Sequence, residues 1–124
     1  MKKLISVTVS ILLTLAGTQG AHAHAQVTSS VPAKNQIVKV LPSLVWIEFD
    51  GDLLSLDEKQ FQKILVTNSK KVRVSQGGPV VGGARISTKL KAGLPAGKYT
   101  VSYRVVSEDG HPVEGSFSFT YKPK

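Results

Sequence analysis

The 124-residue chain contains no cysteine, and Met1 is its only methionine. No disulfide can therefore stabilise the fold, and no thiolate can bind a metal. A thioether cluster, which soft metal ions prefer, is excluded as well. Any metal site must use nitrogen and oxygen donors, and the chain has three histidines, His22, His24 and His111.

Aromatic residues are few, at 6% of the chain, and the charge is unevenly divided, with 16 Lys and Arg against 8 Asp and Glu. The basic residues are scattered through the chain. They form no dense run and do not alternate with aromatic residues, as they would in a groove for single-stranded nucleic acid. The composition therefore argues against a nucleic-acid partner and indicates a solvated basic surface that attracts anionic polymers.

The chain also lacks an apolar run long enough to span a membrane. Lys2 and Lys3 precede an uncharged stretch from Leu4 to Ala16, which falls short of the roughly 20 residues that a span requires. Residues 21–23, Ala-His-Ala, form a small-x-small cleavage site. This order is typical of a secretory signal peptide, and an uncleaved membrane anchor is the alternative.

We predict cleavage between Ala23 and His24, which gives a signal peptide at 1–23 and one small domain at 24–124. Loss of Lys2 and Lys3, and of no acid, lowers the formal charge from +8 to +6. The mature protein is expected to be exported and not embedded in a membrane.

Apolar residues alternate with polar ones along most of the mature chain, which is the pattern of half-buried strands. About seven such runs predict an all-β fold, a Greek-key β-sandwich or barrel that is immunoglobulin-like in the loose sense. The glycines and proline at 77–83 predict a loop, and 55–62 is ambiguous, with one helical turn possible at 57–59. The predicted core comprises Tyr99, Val101, Val105, Phe117 and Phe119.

Candidate chemistry lies at the predicted new N-terminus and in the segment 107–112, Ser-Glu-Asp-Gly-His-Pro. A terminal His24 offers its amine and its imidazole, which together can chelate one metal ion. Asp109 and His111 are two residues apart, so an extended segment directs both to one side. Three nitrogens and one carboxylate oxygen in a tetragonal set suit Cu(II). Alternatively, Asp109-Gly110 is simply a turn dipeptide and His111 ends a strand.

The same residues carry a family resemblance over nearly all of 24–124. The start, His24 followed by Ser30-Val31-Pro32-Ala33, and the end, with 94–101, 103–112 and 115–119, resemble the CopC family of exported copper-binding proteins. This resemblance implies a Greek-key β-barrel or sandwich. It also implies a Cu(II) site made by His24 with its amine, Asp109 and His111.

The resemblance further implies a non-enzymatic, monomeric periplasmic protein that binds one Cu(II) per chain for copper homeostasis or resistance. Such a protein buffers copper or delivers it to a partner, for which an inner-membrane transporter of the CopD type is the candidate. Some family members have a methionine-rich Cu(I) site, which this chain cannot form, so a Cu(II)-only form is expected. Where the family commonly has Phe-Ser-Glu or Phe-Ser-Asp, this chain has Phe49-Asp50-Gly51-Asp52, and either Asp50 or Asp52 could support a ligand histidine.

Two other functions remain open at this stage. Copper monooxygenases that cut polysaccharides also begin with a metal-chelating histidine, but the small size and few aromatic residues argue against one here. Asp109 would also occupy a position that oxygen chemistry needs open. A metal-free interaction module is the other alternative, and it predicts that His24 and His111 lie far apart.

Overall fold

The computed structural model describes residues 25–55 and 61–124, in which all regular secondary structure is β-strand. The predicted signal peptide at 1–23, His24 and the ambiguous turn at 57–59 lie outside the described residues. No helix within the described ranges is long and apolar enough to cross a membrane. The strands are β1 (Val27–Val31), β2 (Ile37–Val38), β3 (Leu44–Phe49), β4 (Lys63–Thr67), β5 (Ser75–Gly82), β6 (Arg85–Leu90), β7 (Gly97–Val106) and β8 (Pro112–Tyr121).

The strands form two four-stranded sheets, in the orders β1-β3-β6-β5 and β2-β8-β7-β4. The two sheets do not close into a barrel, so the sandwich form of the predicted fold class is confirmed. Two strands were not expected: β5, which is described below, and β2, whose two residues pair in parallel with Thr120 and Tyr121 of β8. All other strand pairs are antiparallel.

The core lies between the sheets and consists of alternate residues of each strand. In β3, Val45, Ile47 and Phe49 are buried, and in β7, Tyr99, Val101 and Val105 are buried. Apolar residues with a period of two form one continuous inner face, which explains why these segments fold as strands. Four of the five predicted core residues are fully buried. Phe117 is only partly buried and packs against the edge of the core.

The glycine-rich stretch that was expected to be a loop is mostly strand. In β5, Gln76 pairs with Lys89 and Val80 with Ser87, so a step of four residues on β5 faces a step of two on β6. Gly77, with φ of +77°, begins this bulge. The bulge accommodates the glycines and Pro79 without ending the strand.

Gly115 of β8 allows the close packing of an inner tyrosine. It pairs with Tyr103 across the strands, and a Cβ atom at position 115 would lie 2.7 Å from the Tyr103 ring. The Tyr103 ring also makes an edge contact with Phe49, at 5.7 Å between centroids. Because residue 115 is glycine, the Tyr103 ring can lie against β8 and also contact Phe49 in the other sheet.

Candidate metal centre

The segment Ser107–His111 forms the tight connection between β7 and β8. The Gly110 N–H donates to the Ser107 carbonyl at 2.8 Å, and the Ser107 N–H donates to the His111 carbonyl at 3.0 Å. Gly110 has a φ of +87°, a conformation that glycine adopts without steric cost. The long β7–β8 pair therefore ends in a hydrogen-bonded turn that carries both Asp109 and His111.

Ser107 contacts both Asp109 and His111 within this turn. It is buried, and its hydroxyl lies within hydrogen-bonding reach of Asp109 Oδ1 and, at 3.1 Å, of the His111 carbonyl. The His111 N–H also donates to Asp109 Oδ1, at 3.2 Å. The Ser107 hydrogen bond is the largest cause that lowers the pKa of Asp109 to about 2; desolvation opposes it, and the hydrogen bonds and charge of His111 lower the pKa further. Asp109 is therefore a carboxylate at any physiological pH.

The two predicted ligands of the turn face each other. Asp109 Oδ2 lies 3.0 Å from His111 Nδ1, and the side chains are 29% and 57% exposed. Metal–nitrogen and metal–oxygen bonds in proteins are about 2.0 to 2.1 Å, so neighbouring ligand atoms at right angles lie about 3 Å apart. The observed separation fits a pair of adjacent donors on one ion.

The start of the domain is held by Asp50, at the end of β3. The Gln26 N–H donates to Asp50 Oδ1 at 2.7 Å, and the Asp50 N–H donates to the Gln26 carbonyl at 2.8 Å. Ala25, between this pair and His24, is only 3% exposed and belongs to the core. The chain is thus fixed up to the residue that follows His24.

The segment 50–54 contacts both the start of the domain and the β7–β8 turn. On the turn side, the Glu108 N–H donates to the Asp52 carbonyl at 3.0 Å and the Leu54 N–H donates to the Val106 carbonyl at 2.9 Å. Leu53 also pairs with Ser107. Segment 50–54 therefore brings the residues next to His24 and the turn with Asp109 and His111 to the same end of the sandwich.

Of the three predicted site residues, the structure places Asp109 and His111 together, and His24 lies outside the described residues. Within residues 25–55 and 61–124, no group of three or more His, Cys, Asp and Glu side chains could hold a metal ion. The described donors amount to one carboxylate and one imidazole, so further donors must come from elsewhere in the chain or from solvent.

Comparison with known proteins places the chain in a family. The sequence profile of the CopC domain matches residues 27–122. The chain belongs to the CopC family. The resemblance seen in 94–101, 103–112 and 115–119 is thereby confirmed.

Relatives in this family are 28% to 35% identical to the chain over the matched segments. The copper transport protein CutJ of Bacillus subtilis is 35% identical over 101 residues, which cover 79% of this chain and 18% of CutJ, so the chain spans under a fifth of that protein. The crystal structure of CopC from Methylosinus trichosporium OB3b matches with a TM-score of 0.70 and 28% identity, covering 81% of this chain and 95% of that one. The crystal structure of PcoC, a methionine-rich copper resistance protein from Escherichia coli, matches with a TM-score of 0.66 and 29% identity, covering 81% and 100%.

Ser107 and Gln62 support this end of the CopC domain and were not assigned a role from the sequence, whereas Asp50 and Asp52 were named as candidate supports of a ligand histidine. Ser107 orients Asp109, and Asp50 holds Gln26 through its carboxylate, whereas Asp52 contributes its backbone carbonyl. Gln62 is buried, donates to the carbonyls of Leu54 and Val106 at 2.8 and 3.0 Å, and accepts from the Val106 N–H at 2.7 Å. Of Ser107 and Gln62, only Ser107, two residues before Asp109, had a local sequence signal, because serine often hydrogen-bonds a nearby residue in a turn.

Proposed function

We propose that this protein is an exported Cu(II)-binding protein that buffers copper or delivers it to a partner. The observation that supports this best is the arrangement of Asp109 and His111 in one turn, with donor atoms 3.0 Å apart. The turn lies beside the segment 50–54, which also holds Gln26, two residues after His24. The relatives are a copper transport protein and a copper resistance protein, and both names agree with this function.

The proposed site has four donors. Removal of 1–23 as a signal peptide would give His24 a free amine, which binds the metal together with its imidazole, and Asp109 and His111 supply the other two donors. Nitrogen-rich tetragonal sets favour Cu(II), and the absence of cysteine and of any methionine after Met1 disfavours Cu(I). One Cu(II) binds per chain, and the protein acts in the periplasm or cell envelope as a monomer.

A binding role is proposed rather than an enzymatic one. The Asp109 carboxylate is ionised and held by Ser107, so it remains a ligand instead of leaving an open position for a reacting molecule. The partner proposed to receive or supply copper is an inner-membrane transporter of the CopD type.

The test uses the mature protein purified from the exported fraction, with its N-terminus established by mass spectrometry. Titration with Cu(II) should saturate at one equivalent and give a tetragonal electron paramagnetic resonance spectrum with nitrogen couplings. Asp109→Asn should weaken binding, and Asp52→Asn, which makes the same charge change on the neighbouring segment, should not. Tight Cu(I) binding, or equal affinity in the two variants, would contradict the proposal.

A further inference from the structure

A groove runs between the edge strands of the two sheets, on the side of the sandwich formed by β4 and β5. Each of these strands is the outer strand of its sheet. The groove has a volume of about 700 Å³ and is named here the β4 groove; its lining residues are 62–65, Arg73 and 77–79. It is separate from the turn that carries Asp109 and His111.

One wall of the groove is an open strand edge. The Val66 N–H donates to Ser75 Oγ at 3.1 Å, and the Val66 carbonyl accepts from the Val74 N–H at 2.8 Å, so both backbone groups point away from β7. Backbone groups of an antiparallel strand change side at every residue. Ile64 therefore also directs its N–H and carbonyl away from β7, into the groove. The segment 73–75 covers this edge at Val66 and Thr67 but does not pair with Ile64.

The opposite wall is the bulge of β5 and has almost no side chains. Gly77 and Gly78 precede Pro79, and an added Cβ at either glycine would meet nothing within 4 Å. The bulge belongs to β5, whose ladder runs along β6 and not along β4. The gap between the two edges can therefore accept an extended backbone beside Ile64.

The positive charge of the residues that line the groove favours a negatively charged partner segment. Among the eight described residues that line the groove, Lys63 and Arg73 are charged and none is acidic. Arg73 is fixed in place, because its guanidinium donates to the carbonyls of Ser75 and Gly77 at 3.0 and 2.8 Å. A second copy of the chain would bring the same two cations to the groove, and the terminal segment 122–124, Lys-Pro-Lys, is also basic.

We propose that the β4 groove binds an extended acidic segment of a partner protein, which adds to β4 as a strand beside Ile64. In this mode of recognition, backbone hydrogen bonds supply affinity and the flanking side chains supply selectivity. Gln62, at one end of the groove, is bonded to Val106, next to the Ser107–His111 turn. A partner docked here would lie near the candidate metal centre, although the proposal does not depend on copper binding.

The test is a nuclear magnetic resonance titration of the copper-free protein with an acetylated heptapeptide in which glutamate or aspartate alternates with valine. The matched control peptide has lysine in place of every acid. We expect saturable shifts of the Ile64, Gly77 and Gly78 amides, and slowed exchange of the Ile64 N–H, with the acidic peptide alone. Failure to saturate, or equal shifts with the lysine peptide, would overturn the proposal.

Two pairs of variants separate the groove from the general basic surface. Lys63→Glu should weaken binding about fivefold or more, and Lys98→Glu, on the outer face of β7, should have a much smaller effect. Gly78→Val should obstruct the groove, whereas Gly82→Val, at the other end of β5, should not. Equal losses at Lys63 and Lys98 would show non-specific attraction, and concentration-dependent dimerisation through Ile64 would show that a second copy is the occupant; either result overturns the proposal.

Discussion

At the scale of single residues, the most constrained group of the candidate site is the Asp109 carboxylate. Its Oδ1 accepts from the Ser107 hydroxyl and the His111 N–H, and its Oδ2 faces His111 Nδ1. These contacts exist without a metal and fix the direction of the carboxylate. A metal ion that binds here would find this donor already oriented, which lowers the entropy lost on binding.

Ser107→Ala should raise the pKa of Asp109 toward its ordinary value, because the Ser107 hydrogen bond is the largest cause of its depression. The pKa can be measured from the carboxyl carbon shift of Asp109 as a function of pH. Ser116→Ala, at an exposed position of β8, is the matched control and should leave this pKa unchanged. An unaltered Asp109 pKa in Ser107→Ala would contradict the role given to Ser107.

Asp50→Ala should weaken Cu(II) binding about tenfold, a loss typical for residues that orient a ligand without contacting the metal. The variant removes the acceptor for the Gln26 N–H, so exchange of that amide should also become faster. Asp52→Ala is the control, because Asp52 serves the site through its backbone carbonyl. Unchanged Gln26 exchange in Asp50→Ala would show that the carboxylate does not hold the start of the domain.

The pH dependence of copper binding should come from nitrogen donors. Protons compete with the metal for imidazole and amine nitrogens, so affinity should fall as the pH drops from about 8 to 5. Asp109 stays ionised over this range, since its pKa is about 2. Because its folded pKa is depressed, its contribution to stability is present above about pH 4 and is lost as the pH falls toward about 2.

This prediction is checked by measuring Cu(II) affinity between pH 5 and 8 in the native protein and in Asp109→Asn. The variant should bind more weakly but show the same slope of log affinity against pH. A shallower slope in the variant would mean that the Asp109 carboxylate takes up a proton in this range.

The sequence was sufficient to predict that Asp109 and His111 lie together, but not most of the contacts that support them. Asp109 and His111 belong to one short segment, which is a hydrogen-bonded turn at Gly110 and not the extended segment that was expected; the turn brings the two side chains together. Asp50 was one of two candidates to support a ligand histidine, but its contact with Gln26, 24 positions away, was not predicted, nor was that of Gln62 with Val106, 44 positions away. A single sequence contains no signal for contacts made by tertiary packing. Whether His24 joins Asp109 and His111 stays a prediction.

At the scale of strands, the period of two predicted most of the sandwich. The segments around Ile47, Val101 and Phe119 alternate cleanly; the first two bury most of their inner apolar residues, whereas in the third Phe119 is fully buried and Phe117 only partly. The two failures have physical causes. Residues 77–79 were expected to be a loop because glycine and proline weaken strands, but a bulge places them within β5. The pairing of β2 covers only two residues, Ile37 and Val38, which is too short for a periodic pattern.

Gly115→Ala should destabilise the fold by about 1 to 3 kcal/mol, the usual cost of overpacking. The added methyl group would lie 2.7 Å from the Tyr103 ring, so that ring must move. Chemical denaturation followed by circular dichroism measures the change. Gly82→Ala is the matched control, since nothing lies within 4 Å of a Cβ there, and equal stabilities of the two variants would contradict the packing argument.

At the scale of the whole molecule, the candidate site depends on one end of the sandwich. The segment 50–54 leaves β3 there, holds Gln26 on one side and contacts Ser107 and Glu108 on the other. The strands form the rigid scaffold, and the site residues occupy the connections at its end, an arrangement common in binding proteins. The alternative of a metal-free module predicts that His24 is remote from this end, and the position of Gln26 argues against it.

The most direct test of the account compares the Cu(II) affinity of the mature protein beginning at His24 with that of a form carrying one added glycine before it. The added residue converts the amine into an amide and breaks the proposed chelate. Residues that merely orient a ligand contribute roughly 10- to 100-fold, so the extension should weaken binding by more than about 100-fold, and more than Asp109→Asn does. Competition with a calibrated chelator measures both. Equal affinity of the native and extended proteins would show that the amine and His24 are not ligands, and would contradict the proposed site.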